Sequence, residues 1–278
     1  MSAPPTILLS GYPGNMARAI VEVLRKTPEA LRPVLLPIAL GGTKAGQTID
    51  GIRILTVEER DAAAISKGVI AIDFSVPSAA LGNVEFYARR GIPFVMGTTG
   101  YDRERAVRMI ADANLSAVLA PNMAIPIVLA QAAAGYLART FPGALRGYKF
   151  SLTESHQASK LDTSGTAKSL VPQFAALGLP ASIEAIRMVR DPVQQRDELQ
   201  VPESHLSGHA YHKYTVASVD SSIVLELSHR VHGRSVYAEG ALAAAHFLAN
   251  VVVGRIPPRT YSMDDVLAEA PGADFATL

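Results

Sequence analysis

Apolar and polar positions in the first half of the chain alternate between short solid runs and helical spacing. Thr6–Ser10 is an apolar run, Gly11-Tyr12-Pro13-Gly14 breaks it, and Met16, Ile20, Val23 and Leu24 then recur at helical intervals. Further runs at Val34–Ile38 (ended by Gly41-Gly42), Val69–Phe74, Pro93–Met96 and Ser116–Ala120 predict four more buried strands. Between them, Ser78–Arg90 carries Leu81, Val84 and Ala88 on one face, and Asp102–Asp112 reads as a polar-faced helix. Ile125–Leu137 is apolar almost all round, which predicts a buried helix. Strands and helices that alternate with short connections predict a parallel, doubly wound sheet.

The pattern changes after residue 148. Tyr148–Glu154 alternates as a half-buried strand does, and Ile186–Arg190, His209–Ala217 and Ser221–His229 read as three more strands, with a hairpin turn at Asp220-Ser221. Only one long helix, about Thr166–Leu177, interrupts them, and Gly240–Val252 is helical again. The expected class is α/β. A Rossmann-like parallel-sheet domain spans 1–126 and is completed by 237–278, and an α+β domain with a mixed sheet spans 127–236.

Composition narrows the function classes. The 278 residues (29.5 kDa) are 49% hydrophobic and 18% charged, which fits a globular chain of about two domains. Lys+Arg number 26 against 25 Asp+Glu, and a net charge of +1 argues against broad nucleic-acid binding. With no cysteine, disulfides, zinc–thiolate sites, iron–sulfur clusters and a Cys nucleophile are excluded. No apolar run has the roughly 18 residues of a membrane span, and Met1–Pro5 lacks the features of a secretory signal. The expected location is the cytoplasm, or the plastid stroma if a transit peptide has been removed.

The glycine turn carries the first chemistry. Gly11, Gly14, Asn15 and Met16 follow a strand and open a helix. A helix start presents free amides and a positive dipole end to a phosphate, and glycine lets the backbone come close. The spacing is GxxGxxA rather than GxGxxG, so an ordinary strand–helix turn is the alternative. After the second strand, Ala39-Leu40-Gly41-Gly42-Thr43-Lys44 holds no acid to bond ribose hydroxyls. A hydroxyl and Lys44 suit a 2′-phosphate better, which favours NADPH while leaving NADH open. An exposed loop with an incidental lysine is the bland alternative. Asp73-Phe74-Ser75, Gly97-Thr98-Thr99-Gly100 and Pro121-Asn122-Met123 lie at successive strand ends, where open α/β sheets bind ligands.

The second signal runs from Glu154 to Ala167, ESHQASKLDTSGTA. His156 and Lys160 are titratable groups beside a Ser164-Gly165-Thr166 turn, whose hydroxyls and helix-start amides suit a carboxylate. Taken singly, His156 reads as a structural histidine, Lys160 as a solvated one, and Asp162 or Ser164 as a helix cap. His205, His209, His212, His229 and His232 lack a metal pattern such as HExxH. His209 and His229 fall in strands and are expected to be hydrogen-bonded structural residues, so no metal is expected. No GxSxG elbow or phosphate-loop lysine is present.

The string ESHQASKLDTSGTAK, with DFSVP and GTTGYD upstream, resembles the 4-hydroxy-tetrahydrodipicolinate (dihydrodipicolinate) reductase family. The resemblance runs from Gly11 to the stretch beginning at Tyr261. It is nearest to the plant-type branch: His156-Gln157 stands where many bacterial members have a double histidine.

The resemblance implies reduction of the product of dihydrodipicolinate synthase by NADPH or NADH, in lysine and diaminopimelate biosynthesis. It implies that Gly11, Gly14 and Met16 line the pyrophosphate turn. Gly97, Thr98, Thr99, Pro121, Asn122 and Met123 are then placed around the nicotinamide ribose, and Phe74 joins them as a candidate from its strand-end loop. His156 and Lys160 become the proton-handling pair, and Ser164, Gly165 and Thr166 hold a substrate carboxylate, with Gln157 and Arg234 nearby. It also implies a homo-oligomer, tetramer or dimer, built on the second domain's four-stranded sheet, with no nucleic-acid or membrane partner. Another carboxylate-directed reductase on the same scaffold, or a non-catalytic cofactor-binding sensor, are the competing readings.

Overall fold

The computed structural model describes residues 4–40, 42, 44–252, 254 and 256–269. Gly41 and Thr43 of the expected phosphate loop lie outside the described residues, as do 1–3 and 270–278. The chain divides into two compact units. One runs to Ile125 and resumes at Ser235, and the other is Pro126–Arg234.

The first unit is an eight-stranded sheet with flanking helices. Its elements are β1 (Thr6–Ser10), α1 (Asn15–Lys26), β2 (Val34–Leu40), β3 (Thr48–Ile49), β4 (Ile52–Leu55), α2 (Val57–Ala62), β5 (Val69–Asp73), α3 (Pro77–Arg90), β6 (Phe94–Met96), α4 (Arg103–Asp112) and β7 (Ala117–Leu119). The strand order is β12-β7-β6-β5-β1-β2-β4-β3, where β12 is Thr260–Tyr261. All neighbours pair in parallel except β3 with β4. The order reverses between β1 and β5, the switch point where such sheets open a crevice at their carboxyl ends. β5 is buried at every position, as a strand covered on both faces must be. Helix α1 buries Ala17, Ile20, Val21 and Leu24, the i, i+3, i+4, i+7 stripe. The β3–β4 hairpin and α2 were not anticipated; α2 starts on a capping box between Thr56 and Glu59.

The second unit holds α5 (Ile125–Thr140, whose first residue belongs to the other unit), β8 (Lys149–His156), α6 (Gly165–Ala176), β9 (Arg187–Val189), α7 (Pro192–Asp197), β10 (His209–Ala217) and β11 (Val224–His232). Its sheet has the order β11-β10-β8-β9, antiparallel except for β8 with β9. One face packs Leu152, Tyr214 and Val216 on Leu170 and Phe174 of α6 and Ala134 and Ala138 of α5.

Two expectations are corrected here. Helix α5 is not buried all round: Leu129, Tyr136 and Leu137 are exposed. The last strand starts at Val224 rather than Ser221, because Asp220 accepts hydrogen bonds from the Ser218 and Ser222 hydroxyls and holds 218–223 as a turn.

Helices α8 (Ser235–Val252) and α9 (Met263–Glu269) return to the first unit, where α8 packs on α1 and on β5, β6 and β7. No helix among the described residues is long and apolar enough to cross a membrane. The approach of α8 is close at Gly240, where a Cβ would stand 1.7 Å from the Met123 carbonyl oxygen. Gly240→Ala must therefore displace backbone. It is expected to destabilise the chain by about 2 kcal/mol or more and to lower the unfolding midpoint by roughly 5 °C or more. Thermal denaturation checks this, and an unchanged midpoint contradicts the packing argument.

Candidate active site

In the first unit, the carboxyl ends of parallel strands β1, β5, β6 and β7 lie along one edge of the sheet. Gly11 has φ +89°, and a Cβ there would stand 2.4 Å from the Phe74 carbonyl oxygen, so this turn demands glycine. Gly14 caps α1 without a side-chain hydrogen bond, and Asn15 is exposed. A Cβ on Gly97 would stand 2.1 Å from the Phe74 ring, which fixes that ring against the β6 loop. Thr99 is exposed on the same loop, and Pro121 on the next. Asn122 accepts a hydrogen bond from the Ala124 amide at 3.0 Å. Met123 is 2% exposed and packs under Gly240, so its side chain belongs to the core.

Beneath these loops is a buried carboxylate. Asp73 accepts hydrogen bonds from the Ser75 amide (2.8 Å), Asn83 Nδ2 (2.9 Å), Tyr87 Oη (2.9 Å) and Thr98 Oγ1 (3.3 Å). It thereby ties the β5 and β6 loops to α3. Tyr87 also meets Ser10 Oγ at 2.5 Å, which adds the end of β1. Thr98 thus holds the loops as well as standing at the expected cofactor edge.

An acid does stand near the glycine turn, although none lies at the end of β2. Asp50, in the β3–β4 turn, accepts hydrogen bonds from Tyr12 Oη at 2.5 Å and Arg18 Nη1 at 3.1 Å. The Tyr12 bond and the nearby arginines hold its carboxyl below the usual range. Arg18 Nε also donates to the Pro13 carbonyl at 3.0 Å. Sequence reading missed this acid and this cation, because neither lies in the run that carries the glycines. Lys44 is exposed in a turn anchored by the Gly46 amide donating to the Ile54 carbonyl at 2.8 Å.

In the second unit, His156 ends β8, and a turn closed by the Lys160 amide donating to the Gln157 carbonyl (2.9 Å) leads to α6. Ser164 is the N-cap of α6 and accepts a hydrogen bond from the Thr166 amide at 3.2 Å; Gly165 is exposed. Lys160 pairs with exposed Asp162 at 2.7 Å. Arg234 ends the unit beside Gly208 and makes no ion pair among the described residues.

The centre of this region is Glu154, fully buried. Its Oε1 meets Arg190 Nη2 at 2.5 Å, and its Oε2 accepts the Ser164 amide at 3.0 Å and lies 3.7 Å from His212 Nε2. Burial alone would raise its pKa. His212, Arg190 and the Ser164 amide outweigh that and lower it from 4.5 to about 2. Glu154, His212 and His229 are direct cross-strand neighbours, and His156 stands on the same face. The rings of His156 and His212 are 5.2 Å apart, and those of His212 and His229 4.5 Å. Burial pushes His156 from 6.5 to about 3, with His212, Arg190 and Lys160 adding to the shift and Glu154 opposing it. His229 falls to about 4, from burial and the neighbouring His212.

His209 is the hydrogen-bonded structural histidine expected, with Nε2 at 2.8 Å from Ser155 Oγ and Nδ1 at 3.1 Å from the His205 carbonyl. His229 is not: neither of its ring nitrogens has a hydrogen-bond partner among the described residues. Glu154, His156 and His212 each bring a ligand atom within 4.8 Å of one another. The carboxylate in that set already meets a guanidinium and an amide, and a second cation beside Arg190 would be repelled, so the donors do not suit a resident metal.

Comparison with known proteins adds the family context. The profile described as "Dihydrodipicolinate reductase, N-terminus" matches residues 6–123, and "Dihydrodipicolinate reductase, C-terminus" matches 126–267. The chain is 39% identical over 274 residues to 4-hydroxy-tetrahydrodipicolinate reductase 2, chloroplastic, of Arabidopsis thaliana, covering 95% of this chain and 77% of that one. It is 31% identical over 271 residues to the 4-hydroxy-tetrahydrodipicolinate reductase of Thiobacillus denitrificans, covering 94% and 97%. Among solved structures, a dipicolinate-bound dihydrodipicolinate reductase from Paenisporosarcina sp. TG-14 shares the fold, with a TM-score of 0.61 and 19% identity over 95% of this chain and all of that one.

The neutral buried imidazoles set a pH dependence. His229 has a folded value near 4 against 6.5, so the unfolded chain takes up the proton first. Its contribution to stability is therefore intact above about pH 6.5 and lost as pH falls towards 4, on the order of 3 kcal/mol at pH 4. A His229→Gln variant, which does not titrate, should show a flatter decline in unfolding midpoint between pH 7 and 4. Parallel curves for variant and wild type would contradict the assignment.

Proposed function

The chain belongs to the dihydrodipicolinate reductase family, and from that premise we infer that it is a 4-hydroxy-tetrahydrodipicolinate reductase of lysine and diaminopimelate biosynthesis. It is an oxidoreductase that uses a pyridine nucleotide. The observation that carries its assignment to a dicarboxylate substrate is the β8–α6 connection. One short segment brings Lys160, His156 and the N-terminus of α6 together around buried Glu154.

Loss of the substrate's hydroxyl as water leaves a conjugated cyclic imine with two carboxylates. A bound pyridine nucleotide would supply the hydride to a ring carbon, and one proton from the protein would complete the two-electron reduction. Lys160, as the ammonium, attracts a carboxylate and supplies that proton. Its partner Asp162 is exposed, so the existing ion pair is weak and an incoming carboxylate can replace it. Ser164, Gly165 and Thr166 offer a second carboxylate the dipole and amides of a helix start. Burial keeps His156 neutral near pH 7, so it orients the substrate through a hydrogen bond and does not store the proton. Gln157 and Arg234 complete the polar lining.

On the cofactor, we favour NADPH over NADH. Lys44 lies on an exposed turn after β2, and the acid near the glycine turn, Asp50, is engaged by Arg18 and Tyr12. A homo-oligomer, tetramer or dimer, is the favoured assembly, since edge strand β11 exposes Val224, Leu225 and Leu227. The chloroplastic naming of plant relatives favours the plastid stroma, with the cytoplasm as the other expected location.

The test is a coupled assay in which dihydrodipicolinate synthase, pyruvate and aspartate semialdehyde generate the substrate and nicotinamide absorbance is followed. Protein-dependent oxidation is expected, and its absence with bound NADPH would move the assignment to another substrate. Lys160→Ala should lower kcat by roughly 10²- to 10⁴-fold with cofactor affinity retained; full turnover would remove the donor role. Lys44→Ala should raise KM for NADPH roughly tenfold, and more than for NADH. Equal effects on both would remove the phosphate contact.

A further inference from the structure

Arg190 takes part in no step above, yet its guanidinium is bound on several sides. Nε donates to the Lys160 carbonyl at 2.7 Å, Nη2 to Glu154 Oε1 at 2.5 Å and to the Asp162 carbonyl at 3.3 Å, and Nη1 to the Val189 carbonyl at 3.2 Å. Two of those carbonyls belong to the turn that carries Lys160. The other oxygen of Glu154 holds the Ser164 amide at the start of α6. One ion pair therefore reaches the Lys160 turn through Arg190 and the carboxylate-binding helix end through Glu154.

Apolar packing does not hold this segment. Ala158, Ser159 and Asp162 are exposed, and Leu161 is 88% exposed. A connection with so little buried surface is ordered by its hydrogen bonds or not at all. Arginine suits the task because its planar fork can serve several acceptors at once, which a lysine head cannot do from one position.

We propose that Arg190 and Glu154 are positioning residues for the reduction. Together they set the place of the Lys160 amine relative to the N-terminus of α6, and so the spacing at which one dicarboxylate meets both. This rests on the reading of Lys160 as proton donor. A pair that merely supports the fold would lower stability and activity whether or not Lys160 were present. A positioning pair loses its effect on turnover once Lys160 is gone.

The experiment is a double-mutant cycle in the coupled assay. Arg190→Lys keeps a counter-charge for Glu154 but loses the fork. It should lower kcat roughly 30-fold, with KM for NADPH unchanged. In a Lys160→Ala background the same substitution should change kcat by less than about threefold. Equal falls in the two backgrounds overturn the proposal. Glu154→Gln, nearly isosteric and still able to accept the Ser164 amide, repeats the cycle if Arg190→Lys does not fold.

Calorimetric binding of pyridine-2,6-dicarboxylate to the NADPH-loaded protein gives a second reading that needs no turnover. Affinity should fall roughly tenfold in Arg190→Lys, and unchanged affinity overturns the proposal. If Lys160→Ala retains full turnover, the donor role fails, and this binding measurement alone decides whether the pair positions a dicarboxylate site.

Discussion

A carboxylate removed from water must be surrounded by donors, and each unit of this chain is organised around one that is fully buried at a strand end. Asp73 at the end of β5 gathers donors from the β5 loop, the β6 loop and two turns of α3. Glu154, in the last turn of pleat of β8, gathers Arg190 and the first amide of the α6 cap. In both cases the donors belong to the segments that would touch a ligand. Satisfying the carboxylate and shaping the site are one requirement. Replacing either acid by an apolar residue of similar size would leave several loops without their common acceptor.

The two hubs differ in charge. Asp73 is met by neutral donors, whereas Glu154 faces a guanidinium whose other bonds go to backbone carbonyls. The cations of the second unit are thereby sorted. Arg190 is committed to a buried partner and cannot leave it without stranding a charge. Lys160 is paired only with an exposed aspartate, and such pairs contribute little, so its ammonium is free to exchange partners. Arg234 has no ion-pair partner among the described residues. Lys160 and Arg234 are thus the cations of this group that no buried acid holds among the described residues, whereas Arg190 is fixed.

Much of this was legible in the chain. Solid apolar runs marked the central strands because parallel strands are buried on both faces, and the ESHQASKLDTSGTA string marked the candidate substrate segment because its residue types are unusual together. Short elements escaped: Thr48–Leu55 forms a hairpin around Asp50-Gly51, with strands of two and four residues that barely register as periodic. The even apolarity of Ile125–Leu137 was misread as burial, when Leu129, Tyr136 and Leu137 face outward. Arg190 and His212 escaped as partners of Glu154 for a different reason. They reach it across β9 and β10, and register between strands 36 and 58 residues apart is written in no local run.

The row Glu154–His212–His229 shows what that register produces. Three ionisable groups line one face of the sheet beside Phe174 and Tyr214, where apolar residues would pack with less penalty. Burial and the neighbouring His212 keep His156 and His229 uncharged near neutral pH, while Glu154 keeps its charge because His212, Arg190 and the Ser164 amide hold it. The buried carboxylate is therefore fully engaged by Arg190, and the imidazole nearest the Lys160 turn carries no positive charge of its own. Burial separates the two groups in the way the proposed roles require: His156 is shut into the sheet, and Lys160 stands on an open turn.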